Sequence, residues 1–206
     1  MLRQLCQALR EAHAQGLIHR DIKPSNVILC QRGGVDDVVK LLDFGLVKST
    51  TESNTTQLTQ EGTITGTPKY MSPEQCSGKT GVDARSDIYS LGAVAYALLA
   101  GRAPFERPTS LDLIVAHLRD PVTPLGELQP TIPADLEEMV LRCLKKNPDE
   151  RFPDVGTLDQ ALAASPLAGV WTPQCARQWW QARETRLDEA PAAIDDGQTL
   201  PAPARA

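Results

Sequence analysis

Leu2, Leu5, Cys6, Leu9 and Ala12 fall on one helical face, with Arg3, Gln7, Arg10 and Glu11 off it, so the chain opens on an amphipathic helix. Gly16 is a natural stop for that helix. Two short apolar runs follow, Val27-Ile28-Leu29 and Val38 to Leu42, with Gly33-Gly34 marking a turn between them. Together they predict a short β-hairpin. From Val47 to Thr65 the chain is polar, dense in Thr, Ser, Gln and Glu, and periodic in neither sense, which reads as a long mobile loop. Ser72-Pro73-Glu74 ends that loop and opens a short helix, with Ser72 as cap and Pro73 at the first helical position.

The second half is helical. An apolar helix runs from Ala84 to Ala100 and stops at Gly101. Ser110 caps a helix through Arg119, Pro133 starts one through Lys146 that Asn147-Pro148 ends, and Val155 to Ala164 forms an amphipathic helix. His13 and His117 lie on helices and are expected at the surface or its boundary. After Ser165 the character changes. Trp171, Trp179 and Trp180 sit together, reading as a docking helix rather than a ligand cage, and beyond Ala190 an Ala/Pro-rich tail is expected to be disordered. The predicted fold is mainly α with one β-hairpin, residues 1–164 forming a domain and 165–206 a Trp-containing segment and tail.

Composition narrows the function. Hydrophobic residues make up 41% and charged residues 23% of the 206, ordinary for a globular chain. A net charge of -5 and a pI near 5.2 argue against a nucleic-acid binder with a basic surface. Five scattered cysteines without a C-x-x-C pair favour free thiols in a reducing compartment, and a cytoplasmic protein. The most apolar run, Ile88 to Ala100, is too short to cross a bilayer and reads as a buried helix.

The chemistry lies on the hairpin. His19-Arg20-Asp21-Ile22-Lys23-Pro24-Ser25-Asn26 reads H-R-D-x-K-x-x-N, and Asp43-Phe44-Gly45 follows the second strand. Phosphoryl transfer needs two oxygens in line and developing negative charge neutralised. Asp21 can accept a proton from an attacking hydroxyl. Asn26, five residues on, can swing its amide oxygen onto a metal, and Asp43 can hold that metal from the other side. Magnesium favours such oxygen ligands. His19 reads as packing rather than as a ligand.

These motifs resemble the carboxy-terminal (large) lobe of a eukaryotic-type serine/threonine protein kinase, and Ser72-Pro73-Glu74-Gln75 resembles its bacterial branch. The resemblance covers residues 1–164. It implies ATP and Mg2+ as cofactors, proteins bearing Ser or Thr as substrates, Asp21 as catalytic base and Lys23 as the contact to the transferring phosphate. It further implies Asn26 and Asp43 as metal ligands and Ile28 as the floor of the adenine pocket. His19 and Phe44 match members of a stacked hydrophobic spine. Asp87 matches a buried carboxylate that hydrogen-bonds the catalytic loop, Thr67 a bridge between base and lysine, and Glu74 and Arg151 a buried ion pair. Arg20 matches an arginine that meets a phosphate on the activation loop, for which Thr63 and Thr65 are the acceptors of choice. Thr50, Thr51, Thr55, Thr56 and Thr59 stay open as alternatives.

The small β-rich lobe of such kinases brings a glycine-rich loop and a strand lysine to the nucleotide. No G-x-G-x-x-G occurs among these residues. The expectation is a large lobe with little activity alone, whose uncovered apolar face around Ile28, Leu42 and Phe44 aggregates or meets a partner chain. The other reading is a catalytically silent lobe that docks substrates or kinases in signalling.

Overall fold

The computed structural model describes residues 1–42, 68–78 and 81–188, with side chains as far as Arg183. The chain divides into two compact units, Met1–Val170 and one beginning at Trp171. The expected mobile loop at 47–65 and the expected disordered tail lie outside the described residues.

Helix α1, Leu2–Ala14, buries Leu5, Cys6, Leu9 and Ala12, the stripe its sequence period marks. It closes on a Schellman turn: Leu17 N–H donates to the Ala12 carbonyl and Gly16 N–H to that of His13. Gly16 takes φ 72°, a conformation that costs glycine little. Strands β1, Val27–Arg32, and β2, Val35–Leu41, pair antiparallel, with Val27 opposite Leu41 and Cys30 opposite Val38. Both outrun their apolar cores, because ladder hydrogen bonds join backbones whatever the side chains are. Gly33 and Gly34, at φ 58° and 77°, make the tight turn. The amide of Gln4 on α1 meets the β2 backbone: its Oε1 accepts from Val39 N–H at 2.9 Å and its Nε2 donates to the Asp37 carbonyl at 2.8 Å.

Helix α2, Pro73–Cys76, starts from a capping box between Ser72 and Gln75. Helix α3, Arg85–Ala100, is the centre of the unit: every residue from Ser86 to Tyr96 is buried. A helix enclosed on all sides carries no single apolar stripe. Leu5, Leu9, Ile22, Ile88, Leu91, Phe152 and Leu158 build the core on one side of α3. Tyr89, Tyr96, Leu125, Val140 and Leu144 build it on the other. Gly101, at φ 72°, ends the helix.

Helix α4, Ser110–Arg119, corrects the expected cap by one residue. Thr109, not Ser110, is the N-cap, its Oγ1 accepting from Asp112 N–H at 3.1 Å. A four-residue helix α5, Leu125–Leu128, is too short to show a period and was not foreseen. Helix α6, Ala134–Cys143, stops three residues short of Lys146. Just past its end, the carbonyls of Lys145 and Lys146 accept from Arg151 at 2.8 and 3.1 Å. Helix α7, Val155–Ala164, is capped by Asp154. In the second unit, the tryptophan segment forms helix α8, Pro173–Asp188, with the rings of Trp179 and Trp180 edge to face at 5.1 Å.

The histidine expectation is also corrected. His117 is wholly buried, its ring packed among aromatic neighbours, with Nδ1 2.9 Å from the Tyr89 hydroxyl. Its ring meets Phe105 edge to face at 5.0 Å. Lys146 reaches over the Phe105 ring and donates to the carbonyls of Ala116 and His117, tying down the C-terminal end of α4.

Candidate active site

The loop at 19–26 is held from below by a single carboxylate. Asp87, fully buried in the first turn of α3, accepts from His19 N–H through Oδ2 and from Arg20 N–H through Oδ1, both at 2.9 Å. His13 of α1, at the boundary of the core, places Nε2 2.8 Å from the same Oδ2 and completes the environment of a buried charge. Arg20 adopts φ 64°, in the left-handed region that favours glycine, and the two flanking clamps hold it there. One is Asp87 on its N–H. The other is Gln75 of α2, whose Nε2 donates to the Arg20 carbonyl at 2.8 Å.

His19 is fully buried and locks the loop to the hairpin. Its Nε2 lies 2.9 Å from the Leu42 carbonyl, which can only accept, so that nitrogen carries the proton. Nδ1 is then free to accept from Asp21 N–H at 3.3 Å. A short 3-10 turn, Pro24–Asn26, swings the chain back. Asn26 Nδ2 donates to the Asp21 carbonyl at 2.8 Å and to Asp21 Oδ2 at 3.1 Å. Lys23 Nζ lies 2.8 Å from the same oxygen. Two of the residues singled out in the sequence, Lys23 and Asn26, thus converge on the carboxylate of a third, Asp21. With Nδ2 committed to Asp21, the side-chain oxygen is the atom of Asn26 that can face a cation.

The pair of Lys23 and Asp21 is about one-third exposed, so it adds little stability but keeps both charges where a substrate can reach them. The Leu42 N–H donates to the Asn26 carbonyl at 2.8 Å, carrying the ladder one step past β1 and bringing the two arms together beside Asn26. Asp43 is the next residue. It lies outside the described residues, as do Phe44, Thr63, Thr65 and Thr67. Ile28, on β1, is 42% exposed. Among the described residues no three His, Cys, Asp or Glu side chains group as a metal site.

Glu74 and Arg151 meet as a two-pronged pair, both contacts at 2.8 Å, with Arg151 2% exposed. Arg151 also donates to the carbonyls of Arg85, Lys145 and Lys146, while Ser86 donates to Glu74. Burial pushes the Glu74 carboxyl up, but the hydrogen bonds from Arg151 and Ser86 outweigh it and hold it below the usual carboxylate value. This pair fixes α2, and with it Gln75, against α3.

Sequence reasoning missed His13 and Gln75. The position of His13 beside the buried stripe of α1 was a faint signal, and Gln75 three residues after Ser72 a clearer one for the cap, though not for its reach to Arg20.

A helical unit with one hairpin, its loop clamped onto a central buried helix, is a protein-kinase-like fold. The autoinhibited serine kinase domain of the giant muscle protein titin superposes with a TM-score of 0.66 and 25% identity, over 80% of this chain and 49% of that one. The chain belongs to the protein kinase domain family, whose profile matches residues 1–164. The serine/threonine-protein kinase Pkn1 of Myxococcus xanthus is 40% identical over 201 residues, which are 95% of this chain and 27% of that protein. PknB of Mycobacterium leprae, also a serine/threonine-protein kinase, is 40% identical over 147 residues, 71% of this chain and 22% of its own. The chain therefore spans about a quarter of the length of these relatives.

Proposed function

We propose that this chain is the large lobe of a cytoplasmic serine/threonine protein kinase, transferring the γ-phosphoryl group of ATP to protein Ser or Thr hydroxyls. The observation that carries the reading is the convergence of Lys23 and Asn26 on the Asp21 carboxylate. Asp21 takes the proton of the attacking hydroxyl, and Lys23 swings from it to the transferring phosphate. The Asn26 amide oxygen, with Asp43, would hold Mg2+, which would supply positive charge to offset that of the phosphates. By the family resemblance, Thr67 would bridge Asp21 and Lys23, and Ile28 would floor the adenine site. Arg20 receives a phosphate placed on Thr63 or Thr65. Its Nε, a buried donor without a partner among the described residues, supports that role.

In such kinases the roof of the nucleotide site, with its glycine-rich loop and strand lysine, belongs to a small lobe that is not among these 206 residues. Misalignment by about 1 Å can cost on the order of a hundredfold in rate, so the 206 residues alone should transfer phosphate at least about that far below a typical kinase turnover of about 1–100 per second.

Titration of ATP into the purified chain, with and without Mg2+, tests the reading alongside a phosphotransfer assay. Weak binding that needs Mg2+ and is lost in Asn26→Ala is expected. Turnover in the ordinary range would overturn the lobe-only part. Binding indifferent to Mg2+ and to Asn26→Ala would favour the docking module.

A further inference from the structure

Gln75 uses both ends of its side-chain amide. Oε1 accepts from the Ser72 N–H and hydroxyl, each at 3.0 Å, and this oxygen belongs to the cap of α2. Nε2 points the other way and donates to the Arg20 carbonyl at 2.8 Å, across 55 positions of sequence. The cap alone needs only the oxygen, and glutamate serves as well as glutamine in a capping box. The outward nitrogen therefore has a separate use.

That use is at a strained residue. Arg20 holds φ 64° immediately before Asp21, an angle a non-glycine residue keeps only when its surroundings impose it. Asp87 fixes the N–H side of Arg20, and Gln75 fixes the carbonyl side. The peptide between Arg20 and Asp21 is thus oriented by Gln75, and with it the direction in which the Asp21 carboxylate leaves the backbone.

We propose that Gln75 is a positioning residue for Asp21, its amide nitrogen tying the start of α2 to the left-handed turn that presents the carboxylate. The inference deepens the phosphoryl-transfer reading and rests on it for the role of Asp21. The same bond couples α2, where the Thr-rich stretch ends, to the catalytic loop. A shift of α2 is transmitted to Asp21 through one hydrogen bond.

Gln75→Glu isolates this bond, because it keeps size and the capping oxygen but sets an acceptor against the Arg20 carbonyl. Amide hydrogen exchange on the full chain reads the result at Arg20 and Asp21, with Ala93 and Val94 of α3 as internal reference. We expect exchange at Arg20 and Asp21 to rise about tenfold, the reference amides to stay unchanged, and Gln75→Met to raise loop exchange less than Gln75→Glu, since it lacks the repulsion. Unchanged exchange at Arg20 and Asp21 would overturn the proposal. So would an equal rise at Ala93 and Val94, which would mark Gln75 as a general stabiliser. Mg2+-dependent ATP binding by the unaltered chain, measured in parallel, judges the phosphoryl-transfer reading separately: its absence would sink that reading while leaving the loop coupling to stand on exchange alone.

Discussion

Two side chains, the buried His117 and the half-buried Glu74, couple the stability of this protein to acid. His117 is packed against Phe105 and Tyr89, and burial, followed by the nearby Lys146 charge, pushes its pKa down from 6.5 to about 4. Between those values the unfolded chain binds a proton that the folded chain refuses, so stability falls as pH drops through that window. Glu74 acts at lower pH. Its carboxylate, held down by Arg151 and Ser86, contributes stability that is complete above its ordinary value of 4.5 and is lost as pH falls through its lower folded value. Urea unfolding at a series of pH values should show the two losses in succession. His117→Phe should flatten the first and Glu74→Gln the second. Glu74→Gln should also cost about 3–5 kcal/mol near neutral pH, because Arg151 is left as an uncompensated buried cation. A single loss insensitive to either variant would contradict this assignment. At this scale the residues with fixed motif places, Asp21, Lys23, Asn26, Asp87, Glu74 and Arg151, were legible in the sequence. His13, His117 and Gln75 were not, because their contacts are made across folded distance and leave no local pattern.

Among the elements, α3 is organised by a close approach to α6. A Cβ built on Gly92 would overlap the Cys143 side chain. Helix axes this near tolerate no extra methyl, and the crowding involves Cβ atoms, which cannot rotate away. Gly92→Ala should therefore destabilise the chain by about 1–3 kcal/mol despite alanine's better helix propensity, seen as a lower urea midpoint at unchanged slope. A stabilised variant would mean that the two helices can separate without cost. The helices were legible where periodicity or a stop residue marked them, as with α1, α7 and the Gly101 end of α3. Boundaries failed where side chains from afar decided them. Just past α6 the Lys145 and Lys146 carbonyls accept from Arg151, and no window of sequence around those lysines announces it.

The unit Met1–Val170 presents its hairpin to solvent. Ile28 is 42% and Val35 58% exposed, a high exposure for β-branched residues on a strand. Ile28→Ser should reduce self-association, measured by light scattering at rising concentration, while changing unfolding stability by no more than about 0.5 kcal/mol. Association unaltered by this change would place the sticky surface elsewhere. The two-arm arrangement of the site was readable from the runs on either side of Gly33-Gly34.

Gln4 gives that hairpin a direction. By spending both ends of its amide on Asp37 and Val39, it occupies the outer border of β2 as an added strand would, and chain-to-chain zipping from that side must first evict it. A glutamine on a helix thus acts as a stopper, and growth of the sheet by an incoming segment is steered toward β1, the arm that leads back to Asn26.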